Sequence, residues 1–129
     1  MGPKINSILL IDDNDSTNFL NELIIERAAF AKSVVTLQSG PQALNYLKQE
    51  IPDLILLDAN MPGMSGWKFM EEYRKLDTSK QNKIVVIMLT TSINPDDKEK
   101  ANSIPEINGF KNKPLSPEIL FQIYQEHFV

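Results

Sequence analysis

Asp53-Leu54-Ile55-Leu56-Leu57-Asp58-Ala59-Asn60-Met61-Pro62-Gly63-Met64-Ser65-Gly66 holds an unbroken apolar run, Leu54 to Leu57, that stops at the carboxylate of Asp58. A run without polar alternation fits a strand covered on both faces, and the Asn60 to Gly63 cluster is turn chemistry. Asp58 then stands on the rim of that strand. In open α/β sheets the ligand crevice lies beyond the carboxyl ends of the strands, so a carboxylate placed there is aimed at a site. The stretch alone admits a second reading, in which Asp58 merely opens a solvated loop, because polar residues routinely end strands.

Working outward, two more apolar runs end in polar groups: Ile8 to Ile11 before Asp12-Asp13, and Ile84 to Leu89 before Thr90-Thr91-Ser92. Ser33 to Leu37 and Ile107 to Phe110 read as shorter strands. Between the strands the spacing turns helical. Phe19, Leu20, Leu23, Ile24 and Ala28 predict an amphipathic helix over about 15–29. Ser39-Gly40-Pro41 starts a second helix, with Ala43, Leu44 and Leu47 inward, that stops near Ile51-Pro52 because Pro52 disfavours helix at the preceding residue. Ser65 caps a third, with Phe69, Met70, Tyr73 and Leu76 inward, and polar residues 77–82 form a loop. Asn94-Pro95-Asp96-Asp97 opens a fourth that has little beyond Ala101 to bury. Ser116-Pro117-Glu118 opens the last, with Ile119, Leu120, Ile123 and Tyr124 inward.

Five strands alternating with five helices define an α/β, doubly wound parallel sheet. Pattern alone does not order the strands. Among known doubly wound sheets the flavodoxin-like order 2-1-3-4-5 fits five strands and sets strands 1 and 3 side by side.

Composition narrows the class. The chain has 129 residues, enough for one domain that buries roughly two-thirds of its unfolded surface. With 42% hydrophobic and 23% charged residues it is globular in kind. A net charge of -4 without a basic stripe argues against nucleic acid as a partner. The absence of cysteine excludes disulfides, thiolate metal sites and cysteine nucleophiles. No signal-peptide stretch, myristoylation motif or apolar run near the roughly 20 residues of a membrane span occurs, so a cytoplasmic location without membrane attachment is expected.

Under the order 2-1-3-4-5 the strand ends bring together Asp12, Asp13, Asp58, Thr90 and Lys113. Three converging carboxylates repel one another unless a cation neutralises them. Oxygen-only ligands select a hard ion such as Mg²⁺, which commonly bridges carboxylates to a phosphoryl group. Lys113 and the Thr90 hydroxyl can answer phosphoryl oxygens, and a carboxylate can itself be the nucleophile, giving an aspartyl phosphate.

From about Ile5 to His127 the chain resembles the receiver domain of two-component response regulators, in its single-domain, chemotaxis-regulator-like form. The residues that carry the resemblance are Asp12-Asp13, Asp58-x-x-Met61-Pro62-Gly63-x-x-Gly66, Thr90 and Lys113-Pro114, in order and at the family's intervals. It implies that Asp58 accepts a phosphoryl group, that Asp13 holds Mg²⁺ directly and Asp12 through water, and that Asn60 adds its backbone carbonyl. It further implies that Lys113 and Thr90 contact the phosphoryl oxygens, that Lys113-Pro114 is cis, and that Phe110 is the switching aromatic. Movement of Thr90 and Phe110 would remodel the face made by helix 4, strand 5 and helix 5. The weak apolar face of the fourth helix agrees, since poorly buried elements are the ones that move.

The resemblance also implies a partner histidine kinase or histidine phosphotransfer protein, a downstream target protein, and a monomer or transient dimer. Phosphorylation and autodephosphorylation then belong to a signalling phosphoacceptor, in contrast to a turnover enzyme. Residues 1–129 are expected to form a single receiver domain without an output domain. Thr91 departs from the family, where a smaller residue is usual, and Asn60 and Ser92 would tune phosphate lifetime.

The alternative is a haloacid-dehalogenase-type aspartyl phosphatase, for which Asp13-Asn14-Asp15-Ser16-Thr17 is a loose match. That family needs further acidic ligands after the lysine, and only Glu118 and Glu126 follow Lys113. The remaining conspicuous residues have ordinary readings. Met61, Met64, Met70 and Trp67 are packing residues, His127 is solvated, and Asp96 to Lys100 is a solvated face with helical ion pairs.

Overall fold

The computed structural model describes residues 5–76, 83–92 and 94–128. Five parallel strands, β1 (Ile5–Ile11), β2 (Ala31–Leu37), β3 (Leu54–Asp58), β4 (Val85–Thr90) and β5 (Gly109–Asn112), pair in the order β2-β1-β3-β4-β5. Five helices connect and cover them: α1 (Asp15–Arg27), α2 (Gly40–Leu47), α3 (Gly66–Tyr73), α4 (Pro95–Asn102) and α5 (Pro117–His127). This is the doubly wound, flavodoxin-like sheet expected from the alternation.

The apolar runs are unbroken because both faces of the sheet are covered. Successive side chains leave a strand on opposite faces, and the core divides accordingly. Leu9, Ile11, Ile55, Leu57, Val86 and Met88 pack with Ala43 and Leu47 of α2, Phe69, Met70 and Tyr73 of α3, and Ala101 of α4. Ile8, Leu10, Leu54, Leu56, Ile87 and Leu89 pack on the other face with Ile25 of α1 and Leu120 and Ile123 of α5. Each large aliphatic or aromatic side chain among them stabilises the fold by roughly 1.5–3 kcal/mol relative to exposure. A polar residue inside these strands would forfeit that and add a desolvation cost.

The helix starts follow their side chains. Asn14, Ser39, Ser65, Asn94 and Ser116 each accept a hydrogen bond from the backbone N–H two or three residues on. Pro41, Pro95 and Pro117 stand in first turns, where a missing N–H is harmless. α1 ends with Ala29 at φ 51 while Phe30 N–H reaches the Ile25 carbonyl at 3.2 Å, a left-handed closure that satisfies the last carbonyls.

Several boundaries and faces differ from the sequence pattern. The inward face of α1 is Asn18, Asn21 and Ile25, whereas Phe19 and Leu20 are 63% and 57% exposed and Ala28 is exposed. Of the expected stripe Ile24 is partly buried against the core, while Asn18 and Asn21 fall outside it because an asparagine at an inward position carries no hydrophobic signal. α2 stops at Leu47, well before Pro52, so the proline does not set its end. Leu76 lies beyond the end of α3. β5 covers 109–112, two residues later than the apolar pattern of 107–110, since pairing with β4 from Ile87 to Thr90 decides it. His127 is half-buried beside Gly109, not fully solvated. The loop expected at 77–82 lies outside the described residues. α4 buries only Ala101, in agreement with its sequence.

Candidate functional site

The site lies where the carboxyl ends of β1, β3 and β4 meet the loop after β5. Asp58 is the last residue of β3 and pairs in register with Leu89, one residue before Thr90. Asp12 directly follows β1, its N–H donating to the Leu37 carbonyl at 3.1 Å as the chain leaves the sheet. Lys113 follows β5, and its N–H donates to the Thr90 carbonyl at 2.8 Å. The Lys113-Pro114 peptide is cis.

Side chains from all these ends converge. Oxygens of Asp12, Asp13 and Asp58 lie within 4.8 Å of one another, with Asp12 and Asp58 buried and Asp13 exposed. Lys113 Nζ donates to Asp12 Oδ2 at 2.8 Å and stands 3.1 Å from Asp58 Oδ1. Asn14 N–H donates to Asp12 Oδ1 at 3.0 Å, and Asn60 N–H donates to Asp58 Oδ1 at 3.2 Å. Thr90 is buried, and its hydroxyl oxygen accepts from Ser92 N–H at 3.0 Å, which leaves the hydroxyl proton free to be donated elsewhere.

The electrostatics follow from the crowding. Burial holds the Asp58 carboxyl above its usual range, and the Asp12 charge adds to this while Asn60 N–H and Lys113 oppose it. For Lys113 burial is the largest single influence and disfavours the ammonium. The Asp12 hydrogen bond and the two carboxylate charges outweigh burial together, and its pKa is raised.

Three carboxylates and one ammonium leave two negative charges, the complement of a divalent cation. The donor set is all oxygen, and one ligand side chain, Asp13, opens to solvent. These residues fit a hard, partly hydrated ion such as Mg²⁺. Asp15, the second acid of the phosphatase-like segment, is exposed in the first turn of α1 and takes no part in the acidic group.

Two hollows open near this end of the sheet, one beside Lys113 and one beside Phe110. One, of about 390 Å³, is lined by Leu20, Asn21 and Ile24 of α1 together with Thr91, Lys113 and Pro114. The other, of about 280 Å³, lies beside Phe110 and is lined also by Ser92, Asn94, Lys98 and Asn112. Phe110 is partly buried against the α2–α3 face of the core. Asn112 donates to the Ser92 carbonyl at 2.8 Å, tying β5 to the loop after β4.

Of the residues expected at the site, Asp12, Asp13, Asp58, Asn60, Thr90 and Lys113 lie at one end of the sheet, whereas Phe110, expected as the switching aromatic, sits within β5 opposite Met88 and packs on the core. Asn60 reaches Asp58 by its N–H, where the expectation named its carbonyl. Asn14, Asn18 and Asn112 were missed. Their contacts with Asp12 and Ser92 depend on the exact turn of each loop and helix, which no apolar periodicity reports.

A parallel 2-1-3-4-5 sheet with an acidic cluster, a lysine and a threonine at its carboxyl edge defines a receiver-like α/β fold. Residues 8–125 match the response regulator receiver domain, and the chain belongs to that family. It is 31% identical to the probable methanogenesis regulatory protein FilR2 of Methanothrix harundinacea, over 92% of this chain and 79% of that one. It is 30% identical to hybrid signal transduction histidine kinase B of Dictyostelium discoideum over 96% of its own length, but spans only 7% of that larger protein. A two-component response regulator from Cytophaga hutchinsonii has a similar solved structure, with a TM-score of 0.88, 33% identity, and coverage of 94% and 95% of the two chains.

Proposed function

We propose that this chain is a receiver that takes a phosphoryl group onto Asp58 from a phosphohistidine on a partner kinase or phosphotransfer protein. The observation that carries the reading is the Lys113 ammonium held between Asp12 and Asp58 at the open end of the sheet. An Asp58 carboxylate oxygen attacks phosphorus as the phosphorus–nitrogen bond breaks, and the leaving imidazole takes up a proton. Attack by water later returns the carboxylate and inorganic phosphate.

Asp12, Asp13, Asp58 and the Asn60 carbonyl would hold Mg²⁺. The ion, when bound, supplies charge neutralisation for the two like-charged reactants and orients the phosphoryl group. Lys113 and the Thr90 hydroxyl each answer a phosphoryl oxygen. Phosphorylation replaces the single charge of the Asp58 carboxylate by the about 1.5–2 negative charges and three acceptor oxygens of a phosphoryl group at the β3 terminus. Thr90 then turns toward them, the Ser92 loop follows, and Phe110 and the thinly buried α4 rearrange into a face for a target protein. Residues 5–127 act as the receiver unit.

The donor approaches over α1. Phe19 and Leu20 are exposed apolar side chains, and Leu20 shares its hollow with Lys113, so a donor seated there lies beside the ammonium that bridges Asp12 and Asp58. Among the described residues no helix is long and apolar enough to cross a membrane.

Incubation with Mg²⁺ and a small acyl phosphate, read by intact mass, tests the reading. One phosphoryl adduct is expected on the wild type and none on Asp58→Asn. An adduct undiminished in Asp58→Asn, or no adduct on the wild type, overturns it.

A further inference from the structure

Asn18 occupies a helix position that packing would give to an aliphatic residue. It is 4% exposed, on the side of α1 turned to the sheet. Its Nδ2 donates to the Asp12 backbone carbonyl at 2.8 Å, while its buried Oδ1 has no hydrogen-bond partner among the described residues. The orientation is dictated by chemistry, because a carbonyl can be met only by the donor end of the amide. A buried amide with half its capacity unmet is a poor packing residue, so packing does not account for it.

The bond acts on one peptide plane. The Asp12 carbonyl belongs to the unit joining Asp12 to Asp13, and its orientation sets where the Asp13 side chain begins. On the Asp12 side the chain is anchored by Asp12 N–H to the Leu37 carbonyl at 3.1 Å. Beyond Asp13, Asn14 N–H binds Asp12 Oδ1 at 3.0 Å, and the Asn14 side chain caps α1 through Thr17 N–H at 2.9 Å. Asn18 N–H closes the circuit on the Asn14 carbonyl at 3.1 Å. Asp13 is thus one exposed residue strung between two anchored ones, and the plane on its near side is held by Asn18.

We propose that Asn18 is a positioning residue for the acidic pair, clamping the Asp12 carbonyl so that Asp12 and Asp13 keep the geometry a divalent cation requires. This rests on the Mg²⁺ reading given above. The clamp accepts a half-satisfied buried amide in exchange for ligand placement, so function and stability separate on its removal.

The test is calorimetric titration of the wild type and of Asn18→Leu, close in size and without a donor, with MgCl₂ alone, alongside urea unfolding without metal. The Mg²⁺ Kd of the variant is expected to rise about tenfold, the size of effect that partners of metal ligands commonly have. Its urea midpoint is expected to stay level or rise. An unchanged Kd in the folded variant overturns the proposal, and a lower midpoint with unchanged Kd marks Asn18 as merely structural and does so equally. Should Asn18→Leu fail to fold, Asn18→Ser, whose hydroxyl is too short to span the gap, carries the same expectation for the Mg²⁺ Kd, and an unchanged Kd in it overturns the proposal. Wild-type protein that binds no Mg²⁺ removes the cation reading and this inference together, whereas equal binding by wild type and variant removes the inference alone.

Discussion

Lys113 Nζ donates to Asp12 Oδ2 at 2.8 Å, joining two side chains that lie 101 positions apart in the chain. The ammonium is a tethered cation that offsets buried negative charge. Replacing it by methionine keeps the stem and removes the charge, leaving Asp12 and Asp58 facing each other uncompensated. Breaking a largely buried pair in this way should lower metal-free stability by about 1–3 kcal/mol in urea unfolding. Mg²⁺ should then stabilise Lys113→Met more than it stabilises the wild type. An unchanged midpoint would show that the ammonium offsets nothing.

The exposure of Phe19 and Leu20 predicts a split between phosphodonors. In Phe19→Ala/Leu20→Ala, phosphotransfer from a phosphohistidine protein should slow by tenfold or more, on the scale of losing an interface anchor of about 1.4 kcal/mol. Labelling by a small acyl phosphate should proceed at the wild-type rate. Equal slowing with both donors would place the defect in the acidic site and remove α1 from the docking surface.

Gly66 opens α3 hard against the end of β3. A Cβ there would lie 2.6 Å from the Asp58 carbonyl oxygen and 2.9 Å from Ala59 Cα, both backbone atoms that cannot swing aside. Gly66→Ala should therefore lose about 1–3 kcal/mol in urea unfolding, as overpacked sites do. Because the strain falls on the Asp58 peptide itself, Mg²⁺ affinity should drop as well. Wild-type stability in this variant would mean that the helix start can recede freely.

Lys100 stands 4.6 Å from the centre of the Trp67 ring. Among the described residues no ion pair links the charges of 96–100 to one another, contrary to the sequence expectation, and this contact to α3 takes their place. Since α4 buries little else, Lys100→Met should speed amide hydrogen exchange across 95–102 by roughly two- to fivefold, as loss of about 0.5–1 kcal/mol predicts. Trp67 emission should shift in parallel. Unchanged exchange would show that α4 is held by something other than this contact.

Burial, and secondarily the Glu106 charge, push the Tyr73 phenol up to about 12. In the unfolded chain it titrates at its ordinary value of 10.0. The folded state therefore binds one proton more between these values, and the associated stability is complete below pH 10 and lost as pH rises toward 12. The loss amounts to roughly 2–3 kcal/mol. It should appear as a steeper decline in urea stability for the wild type than for Tyr73→Phe across that window. Parallel curves for the two proteins would contradict it.

Much of this was legible in the chain itself. Buried parallel strands need unbroken apolar runs, and Leu54 to Leu57, Ile8 to Ile11 and Ile84 to Leu89 announce themselves without a structure. Asp12, Asp58 and Thr90 could be placed because a doubly wound sheet puts its site at the carboxyl ends of such runs. The thin burial of α4 followed from its composition in the same way.

What tertiary structure alone decided is the phase and reach of side chains. Phe19 and Leu20 look inward by spacing, yet the sheet receives Asn18, Asn21 and Ile25. Hydropathy reports the cost of exposing a side chain, and a site can outweigh that cost by demanding a donor at a carbonyl. The two-residue shift of β5 has a similar origin, since backbone pairing with β4, and not side-chain polarity, sets where a short edge strand runs. Sequence by itself determined which elements form and which ends carry the acids. The packed fold decided which asparagines hold those acids in place, because hydrogen-bond geometry exists only once strands, loops and helices have taken their positions.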